Sequence, residues 1–505
     1  MNVNKLVFQA TKLKTLAMII PSLIATGAYA QTTEQATKQV IEQGNEESKI
    51  EQIVVTAQQH AQPITEVPLA LTAFGATDLE KMNLTDLERI ASLTPGLIVQ
   101  QQTDSSPSFV IRGVEAANAG AAAEPTISIF YNGIDSSRSR SSVKELYDIE
   151  RIEIAKGPQG TLFGRGASTG AIAIHTKKAD TEGNEGFVEA RLGNYNLQSV
   201  TGAYNFAVNE EFGIRIAGSR RTRDGYVDNL TPDEDKFNDD DMLAARVSLK
   251  WIPRDDVNVD FIFDHQNDSD GEAVTKSIVV ASPGGNTSAF TASGQNPSPV
   301  EQSRRQTGYT LLVDWDINEN WSLSSLTGYR QLWSQNGFDI DGTTYDAFSA
   351  LPHDNQKMAS QELRFSYTGD ATTVIFGGSY YNDKSVSGTD FVVNEQYLLA
   401  GFPKNLTPLT ELPISEDVSV PLNTGNVSSS VTDNDRDSFS IFSNVNVTLS
   451  DRLILDAGLR YTWDKAKIRL NGFAIHLRWH AIIRVSERFI WWQLFWRANN
   501  NKRRL

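Results

Sequence analysis

The chain has 505 residues, a formal net charge of -16 and no cysteine. The length allows two or more domains, the acidic balance argues against nucleic-acid binding, and the lack of cysteine excludes disulfides and thiolate metal sites. A mean hydropathy of -0.34 is typical of water-soluble proteins, but also of transmembrane β-barrels, whose strands alternate apolar and polar residues. Beyond the N-terminus, no apolar run reaches the about 20 residues that a membrane helix needs.

The first 30 residues have the pattern of a secretory signal peptide. Three lysines precede an apolar stretch at 16–25, and Ala-Tyr-Ala at 28–30 is a small-residue cleavage motif. Residues 31–49 are polar and predict a disordered periplasmic linker that is too short for a separate folded domain.

A short β-branched run follows at residues 50–57. Such a run is either an ordinary edge strand or a strand left free to pair with the sheet edge of another protein. Its residues are Ile50, Glu51, Gln52, Ile53, Val54, Val55, Thr56 and Ala57.

Residues 58–179 predict a compact mixture of helices and strands. We expect a strand in PLALTAFG and then one helix from Asp78 to Ser92, which Pro95 and Gly96 stop. The strand-like runs that follow are LIVQQQ, SFVIRGV, TISIFYNGI, IERIEIAKG and AIAIHTKK.

From residue 186 to residue 470 the pattern changes to eleven segments of about ten residues with period-two alternation. In 453–463, for example, the odd positions are apolar and end in Tyr461 and Trp463, whereas the even positions include Asp456 and Arg460. Short turns alternate with long polar loops, at 222–241, 266–307, 331–358 and 383–436. Sorting of loops by length favours an outer-membrane barrel over a soluble β-sandwich.

Residues 471–505 depart from this pattern. They hold four of the nine tryptophans of the chain and seven Lys or Arg against one acid. Without visible strand alternation, the segment predicts an irregular or extended tail. It is either the product of out-of-frame translation, which we favour, or a basic amphipathic helix on a membrane surface.

Six motifs, in order, resemble those of the TonB-dependent receptor family. They are EQIVVTA (51–57), VPLALTAFGATDLE (67–80), LTPGLIVQ (93–100), FVIRGV (109–114), ISIFYNGID (127–135) and ELYDIERIEIAKGPQGTLFGRGASTGAIAIHT (145–176). The resemblance covers about residues 50–470. It implies an α+β plug domain followed by an antiparallel transmembrane β-barrel in the outer membrane of a Gram-negative bacterium.

The family barrel has roughly 22 strands, so eleven strands form about half of it. We therefore expect an incomplete barrel with two open edges and no closed pore. The resemblance further implies that residues 50–57 are the TonB box, to which TonB adds a strand. The implied function is energised import of a scarce extracellular ligand such as a ferric siderophore, without a cofactor.

Three alternatives remain open. A truncated, non-functional remnant of such a receptor fits the C-terminal composition. A secreted hydrolase rests only on Gly166-Ala167-Ser168-Thr169-Gly170, which matches a nucleophile elbow but precedes a strand where the elbow needs a helix. A signal-transducing receptor needs a folded domain before the TonB box, for which the linker leaves no room.

The resemblance also implies site residues. Arg112 and Arg165 in plug motifs are expected to pair with Glu362 of the barrel, because guanidinium and carboxylate form a rigid bidentate fork. Tight plug turns are expected at Gly113, Gly157, Gly160, Gly164, Gly166 and Gly170. No catalytic residue and no metal site are predicted. The acidic segment at 228–241 is predicted to be a solvated external loop.

Overall fold

The structure is a computed structural model. It describes residues 54–55, 62–67, 69–103, 106–115, 124–142, 144–164, 166–230, 236–271, 274–276, 288, 290–292, 302–342, 348–394, 411–415, 418–421, 426–450, 453–474 and 477–498. The predicted signal peptide and linker lie outside these residues.

The N-terminal part of the described chain is a small α+β domain. Its elements are β1 (Val54–Val55), β2 (Gln62–Pro63), a 3-10 turn (Ile64–Glu66), β3 (Leu71–Gly75), α1 (Ala76–Lys81), α2 (Leu87–Ser92), β4 (Leu97–Thr103), β5 (Ser106–Ile111), β6 (Val114–Glu115), β7 (Ile127–Tyr131), β8 (Ile134–Asp135), α3 (Ser139–Ser142), β9 (Ile149–Lys156) and β10 (Gly170–Thr176). A mixed sheet runs in the order β3-β9-β10-β7-β8, with β10 parallel to β7. Isoleucines of β7, β9 and β10 form its core with Phe109 and Ile90.

The single helix predicted from Asp78 to Ser92 is wrong, because the structure has two short helices there. The chain leaves α1 at Met82, and Asn83 takes a φ of 52°, a left-handed conformation that ends a helix. Asp86 then begins α2 as its N-cap, with a side-chain oxygen that accepts a hydrogen bond from the Arg89 backbone N–H at 2.8 Å.

The rest of the described chain is one large antiparallel sheet. Its twelve consecutive strands are β11 (Gly186–Gly193), β12 (Leu197–Ala207), β13 (Phe212–Arg223), β15 (Asp240–Arg254), β16 (Val257–Asp270), β18 (Gln302–Asp316), β19 (Trp321–Gln335), β21 (Phe348–Thr368), β22 (Thr372–Val393), β25 (Asn426–Ser450), β26 (Leu453–Ala474) and β27 (Leu477–Ala498). Short strands in the long connections are β14 (Asp228–Asn229), β17 (Thr291–Ala292), β20 (Phe338–Asp339), β23 (Glu411–Ser415) and β24 (Val418–Pro421). The path ends at β11 and β27, which each have one neighbouring strand among the described residues.

The large sheet is inside-out relative to a soluble sheet. On β26, Leu459 and Trp463 are exposed, whereas Asp456, Arg460 and Thr462, at the alternate positions, are buried on the opposite face. The outward apolar positions run from Leu453 to Trp463, about 34 Å along the strand and about 24 Å in height at a tilt of about 45°. That height matches the about 25 Å apolar band of outer-membrane barrels.

Two expectations about the strands need correction. Strands β21, β22, β25 and β26 have 21, 22, 25 and 22 residues, about twice the predicted length, and continue past the apolar band on the side of the long connections. The tail is not irregular through its described part, because β27 pairs with β26 over its whole length, from Leu477 to Ala498. The predicted membrane-surface helix is therefore wrong as well.

The apolar band predicts a position-dependent cost of charge. Leu459→Arg would place a guanidinium near the middle of the band, and we expect a loss of about 2–4 kcal/mol in unfolding free energy. Asn471→Arg, on the same outward face beyond the band, should change it by less than about 0.5 kcal/mol. Urea titration in lipid vesicles, followed by tryptophan fluorescence, measures both. Equal effects would contradict the assigned band.

Candidate functional site

The small domain contacts the polar face of the large sheet, which we call the wall, through buried ion pairs. Asp148, just before β9, accepts hydrogen bonds from Arg215 of β13, Nε to Oδ2 at 2.9 Å and Nη2 to Oδ1 at 2.6 Å. Arg246 of β15 donates to the same carboxylate at 2.9 Å. The side chains of Asp148 and Arg246 are 0% and 1% exposed, so the interaction is shielded from water.

Backbone geometry and charge both hold Asp148 in place. Its φ is 50°, a left-handed conformation that aspartate tolerates better than most residues. Burial on its own raises the pKa of the Asp148 carboxyl, but hydrogen bonds and positive charge from Arg215 and Arg246 outweigh burial and hold this pKa below its ordinary value. The carboxylate is therefore charged at neutral pH.

In a second group of buried ion pairs, the carboxylate belongs to the large sheet and a lysine belongs to the small domain. Asp264 of β16 accepts hydrogen bonds from Lys144 of the small domain at 2.5 Å and from Arg330 of β19 at 2.7 and 3.0 Å. The Lys144 ammonium also lies 4.5 Å from the centre of the Tyr131 ring. Burial lowers the pKa of the Lys144 amine to about 8, with Arg330 acting in the same direction against the attraction of Asp264.

Further pairs join the two parts at other heights of the sheet. Lys178 contacts Asp260 at 2.7 Å, Glu145 contacts Arg221 at 2.6 Å and Arg138 contacts Asp383 at 2.5 Å. Two more pairs are Arg140 with Asp354 and Glu124 with Arg436. The small domain is thus held by charges of both signs along seven strands: β13, β15, β16, β19, β21, β22 and β25.

A cavity lies between the β8–α3 segment and the wall strands β18, β19, β21, β22 and β25. Four cationic side chains, Arg138, Lys144, Arg330 and Arg436, line it, and among the described residues Asp135 is the lining carboxylate. The four cations also pair with Asp383, Asp264 and Glu124, so the charges around the cavity are balanced. Ser136, Tyr381 and Met358 add hydroxyl and thioether groups. The arrangement offers charged hydrogen-bond donors and apolar surface to a ligand.

Of the predicted TonB box, the structure describes Val54 and Val55. They form β1, which pairs antiparallel with β2 in the register Val54 to Pro63 and Val55 to Gln62. Val55 is fully buried. Ile50, Glu51, Gln52, Ile53, Thr56 and Ala57 lie outside the described residues.

The predicted pairing of plug arginines with Glu362 stays a prediction. Arg165 lies outside the described residues, and Arg112 lies on an exposed turn with a φ of 52°. Glu362 forms an ion pair with Arg364 of its own strand. Sequence reasoning missed the pairs that do join plug and wall, although Asp148 lies within the motif ELYDIERIEIAKG. Isolated charges at alternate positions of the wall strands, on the face opposite the apolar positions, were the available signal.

The glycine-rich segment forms tight turns. Gly113, Gly157, Gly164 and Gly166 all have positive φ, as backbone turns of this kind require. A Cβ at Gly164 would lie 3.0 Å from the Arg460 guanidinium of β26, so this turn contacts the wall closely. Gly160 is buried in the turn before it, and Gly170 begins β10, where a Cβ would lie 2.7 Å from the Ala155 carbonyl oxygen.

The candidate nucleophile and the acidic loop both have local partners in the described residues. Ser168, the candidate nucleophile, donates a hydrogen bond to the Thr126 carbonyl oxygen at 3.3 Å and is followed by strand β10. In the acidic loop, Asp228 pairs with Lys236 at 2.8 Å. In the described part of the chain, no group of three acidic or histidine side chains is placed to hold a metal ion. No helix of that same part is long and apolar enough to cross a membrane.

A plug domain on the polar face of an inside-out antiparallel sheet defines the class of plugged outer-membrane β-barrel proteins. The family model of the TonB-dependent Receptor Plug Domain matches residues 63–171, and that of the TonB dependent receptor-like beta-barrel matches residues 248–499. The chain belongs to the TonB-dependent receptor family. The barrel match extends through residue 499 and so includes most of the tail, and the remnant hypothesis stays an alternative.

Similar proteins include receptors for several ligands. The Pesticin receptor of Yersinia enterocolitica (serotype O:8 / biotype 1B) is 23% identical over 475 residues, which are 92% of this chain and 61% of that receptor. The Ferrioxamine B receptor of Salmonella typhimurium (strain LT2) is 24% identical over 243 residues, 45% of this chain and 32% of that receptor. The crystal structure of the ferric yersiniabactin uptake receptor FyuA from Yersinia pestis has a TM-score of 0.68 at 17% identity and covers 84% of this chain and 61% of its own. The chain thus spans about 61% of the length of the pesticin receptor.

The shared carboxylate predicts a large cost for one neutral substitution. Asp148→Asn keeps the shape but removes the carboxylate that Arg215 and Arg246 share, and leaves Arg215 only the exposed Glu185 at 4.0 Å. We therefore expect a loss of about 3–5 kcal/mol in unfolding free energy of the plug. Glu150→Gln is the matched control, because Glu150 is 45% exposed beside Arg151 and should contribute at most about 1 kcal/mol. Urea-dependent protease sensitivity of the plug measures both variants, and an Asp148→Asn plug as resistant as wild type would contradict this role.

The lowered pKa of Lys144 predicts a pH dependence. Between pH about 8 and the ordinary lysine pKa of about 10.4, the unfolded chain binds the Lys144 proton and the folded chain does not. The contribution of Lys144 to unfolding free energy should therefore rise with pH in this window. Lys144→Met removes that proton, so the difference between wild type and variant should grow in favour of wild type from pH 8 to pH 10. A difference in unfolding free energy that does not change with pH would contradict the lowered pKa of the buried Lys144 amine.

Proposed function

We propose that the chain is the plug and adjoining barrel wall of a receptor that imports a scarce ligand, an iron-siderophore complex, across the bacterial outer membrane. The observation that carries this proposal is the plug, held on the polar face of an inside-out sheet by buried pairs such as Asp148 with Arg215 and Arg246. Such a plug closes the lumen to free diffusion, so passage of a ligand needs energy to displace it.

The cavity beside α3 supports an anionic iron chelate as the ligand. Arg138, Lys144, Arg330 and Arg436 line the cavity with charged hydrogen-bond donors. Each already pairs with a carboxylate, so an anionic chelate would bind by competing with those carboxylates for the same donors. The wall strands that contribute to it continue toward the long connections, the side on which barrels of this class bind external ligands. Relatives named for ferrioxamine B and ferric yersiniabactin support the same chemical class.

The partner in the periplasm is TonB, which pairs with residues 50–57 as an added strand. Val54 and Val55 already form a strand with Gln62 and Pro63, so this segment favours the extended backbone that strand addition needs. On pairing with TonB, this segment would leave the short strand β2 and pair with a longer strand of TonB. The chemistry is a change of backbone pairing, without a covalent step.

A proline in the TonB box tests the partner. Val54→Pro removes a backbone N–H and fixes φ, so it should abolish energised uptake while surface binding of the ligand stays intact. Val54→Thr keeps both the N–H and the β-branch and should transport normally. Uptake of radiolabelled ferric siderophore by cells that express the receptor measures both, and normal uptake by the proline variant would contradict the assignment.

A cavity arginine tests the ligand class. Arg436→Gln removes one charge from the lining, and we expect a roughly 10- to 100-fold weaker binding of the imported chelate, since hydrogen bonds to charged groups contribute about 1.5–3 kcal/mol. Arg254→Gln is the control, because Arg254 lies far from the cavity beside Asp256 at a short turn. Binding of catecholate, hydroxamate and carboxylate ferric siderophores to whole cells identifies the ligand. If no ferric siderophore binds, the iron proposal is wrong.

A further inference from the structure

Three lysines lie in one row on the outward face of the wall, just beyond its apolar band. They are Lys357 of β21, Lys384 of β22 and Lys467 of β26, and the register joins them through Asp435 of β25. We call these three the lysine row. Their neighbours Gln356, Asp383 and Ala466 are buried on the lumen side, which fixes the lysines on the outer side by strand alternation.

The lysine row has a defined height relative to the band. The exposed aromatic side chains Tyr380, Phe439 and Trp463 also face each other in register on β22, β25 and β26. Aromatic residues of this kind mark the membrane–water interface. Lys384, Asp435 and Lys467 each lie four residues further along, about 14 Å along the strand and about 10 Å in height. This is the level of lipid headgroups.

The charges in the row do not cancel. Lys357 and Lys384 are directly opposite each other on adjacent strands, an arrangement of like charges that is unfavourable without an anion between them. Asp435 faces both Lys384 and Lys467, so the row carries three cations and one carboxylate. Below it, Lys465 faces Asp437, whose carboxylate accepts hydrogen bonds from Tyr380 and Asn382. At the same register, β18 and β19 present the uncharged Thr307 and Gln331.

We propose that the lysine row binds the phosphate groups of an anionic glycolipid in the outer leaflet of the membrane. A phosphate between Lys357 and Lys384 replaces their repulsion by two charge-assisted hydrogen bonds. The long lysine stems lie along the apolar surface while the ammonium groups reach the headgroups. This inference rests on the proposed outer-membrane location and assigns a lipid contact to a face that the transported ligand does not touch.

The test uses the full chain purified from outer membranes. The probe is phosphorylated lipid A in phosphatidylcholine vesicles, with dephosphorylated lipid A and inorganic phosphate as the other two arms. We expect binding of the phosphorylated lipid, much weaker binding of the dephosphorylated lipid, and little competition by millimolar phosphate. The triple variant K357Q/K384Q/K467Q should bind on the order of 100-fold more weakly, and Lys384→Gln alone about fivefold.

Asp435→Asn separates lipid binding from structural pairing. If the row binds phosphate, loss of this carboxylate should tighten binding about fivefold, whereas a purely structural salt-bridge row would give no gain. Lys236→Gln in the loop before β15 is the control and should leave lipid binding unchanged. Each variant is checked for a folded, heat-modifiable band, and the single substitutions decide if the triple variant fails to fold.

The outcomes separate this inference from the proposed function. Equal binding of phosphorylated and dephosphorylated lipid, or wild-type binding by the lysine variants, would overturn the inference even if the receptor transports iron. Full competition by inorganic phosphate would also overturn it, because free phosphate would then be the ligand. Absence of the chain from the outer membrane would instead overturn the proposed location.

Discussion

The structure depends on the pairing of charges between the plug and the polar face of the wall. An inside-out sheet must bury its polar face somewhere, and buried charges are costly unless they are paired. Asp148 satisfies two wall arginines at once, Arg215 and Arg246, and Asp264 satisfies one wall arginine and one plug lysine. Removal of the plug would take the counter-charge from Arg215 and Arg246 and leave Asp264 with Arg330 alone. The plug therefore satisfies charges that the wall cannot satisfy by itself.

The cations that line the cavity are the same ones that pair the plug with the wall. Asp264 pairs with Lys144 and Arg330, and Asp383 pairs with Arg138. Arg436 pairs with Glu124 of the plug. Under the proposed function, an anion that binds in the cavity would compete with these carboxylates for the same cations. Ligand binding and plug retention would then use the same charged groups, which would link the two events without a separate relay.

The wall and the plug motifs could be predicted from the sequence, whereas the site could not. Alternation of period two is local, so eleven strands were visible between residues 186 and 470. The helix at Asp78 was misjudged because one left-handed residue, Asn83, divides an otherwise helical pattern. The tail was misjudged because runs of consecutive apolar residues and clustered tryptophans hide any period-two alternation in the sequence, whereas pairing with β26 determines the backbone. Asp148 and Arg246 are 98 positions apart in the sequence, and no local pattern specifies such a pair.

The register of each wall strand determines which residues face the lumen and which face the lipid. Asp383 pairs with Arg138 of the plug with 1% of its side chain exposed, and the next residue, Lys384, lies on the outer face. A slip of β22 by one residue would move Asp383 outward, turn Tyr380 into the lumen and place a lysine beside Arg138. Each of these changes is unfavourable, and they are coupled because a single backbone shift causes them all. The ion pairs with the plug therefore also fix the height of the aromatic side chains and lysines on the outside, so the position of the wall in the membrane follows from contacts made inside it.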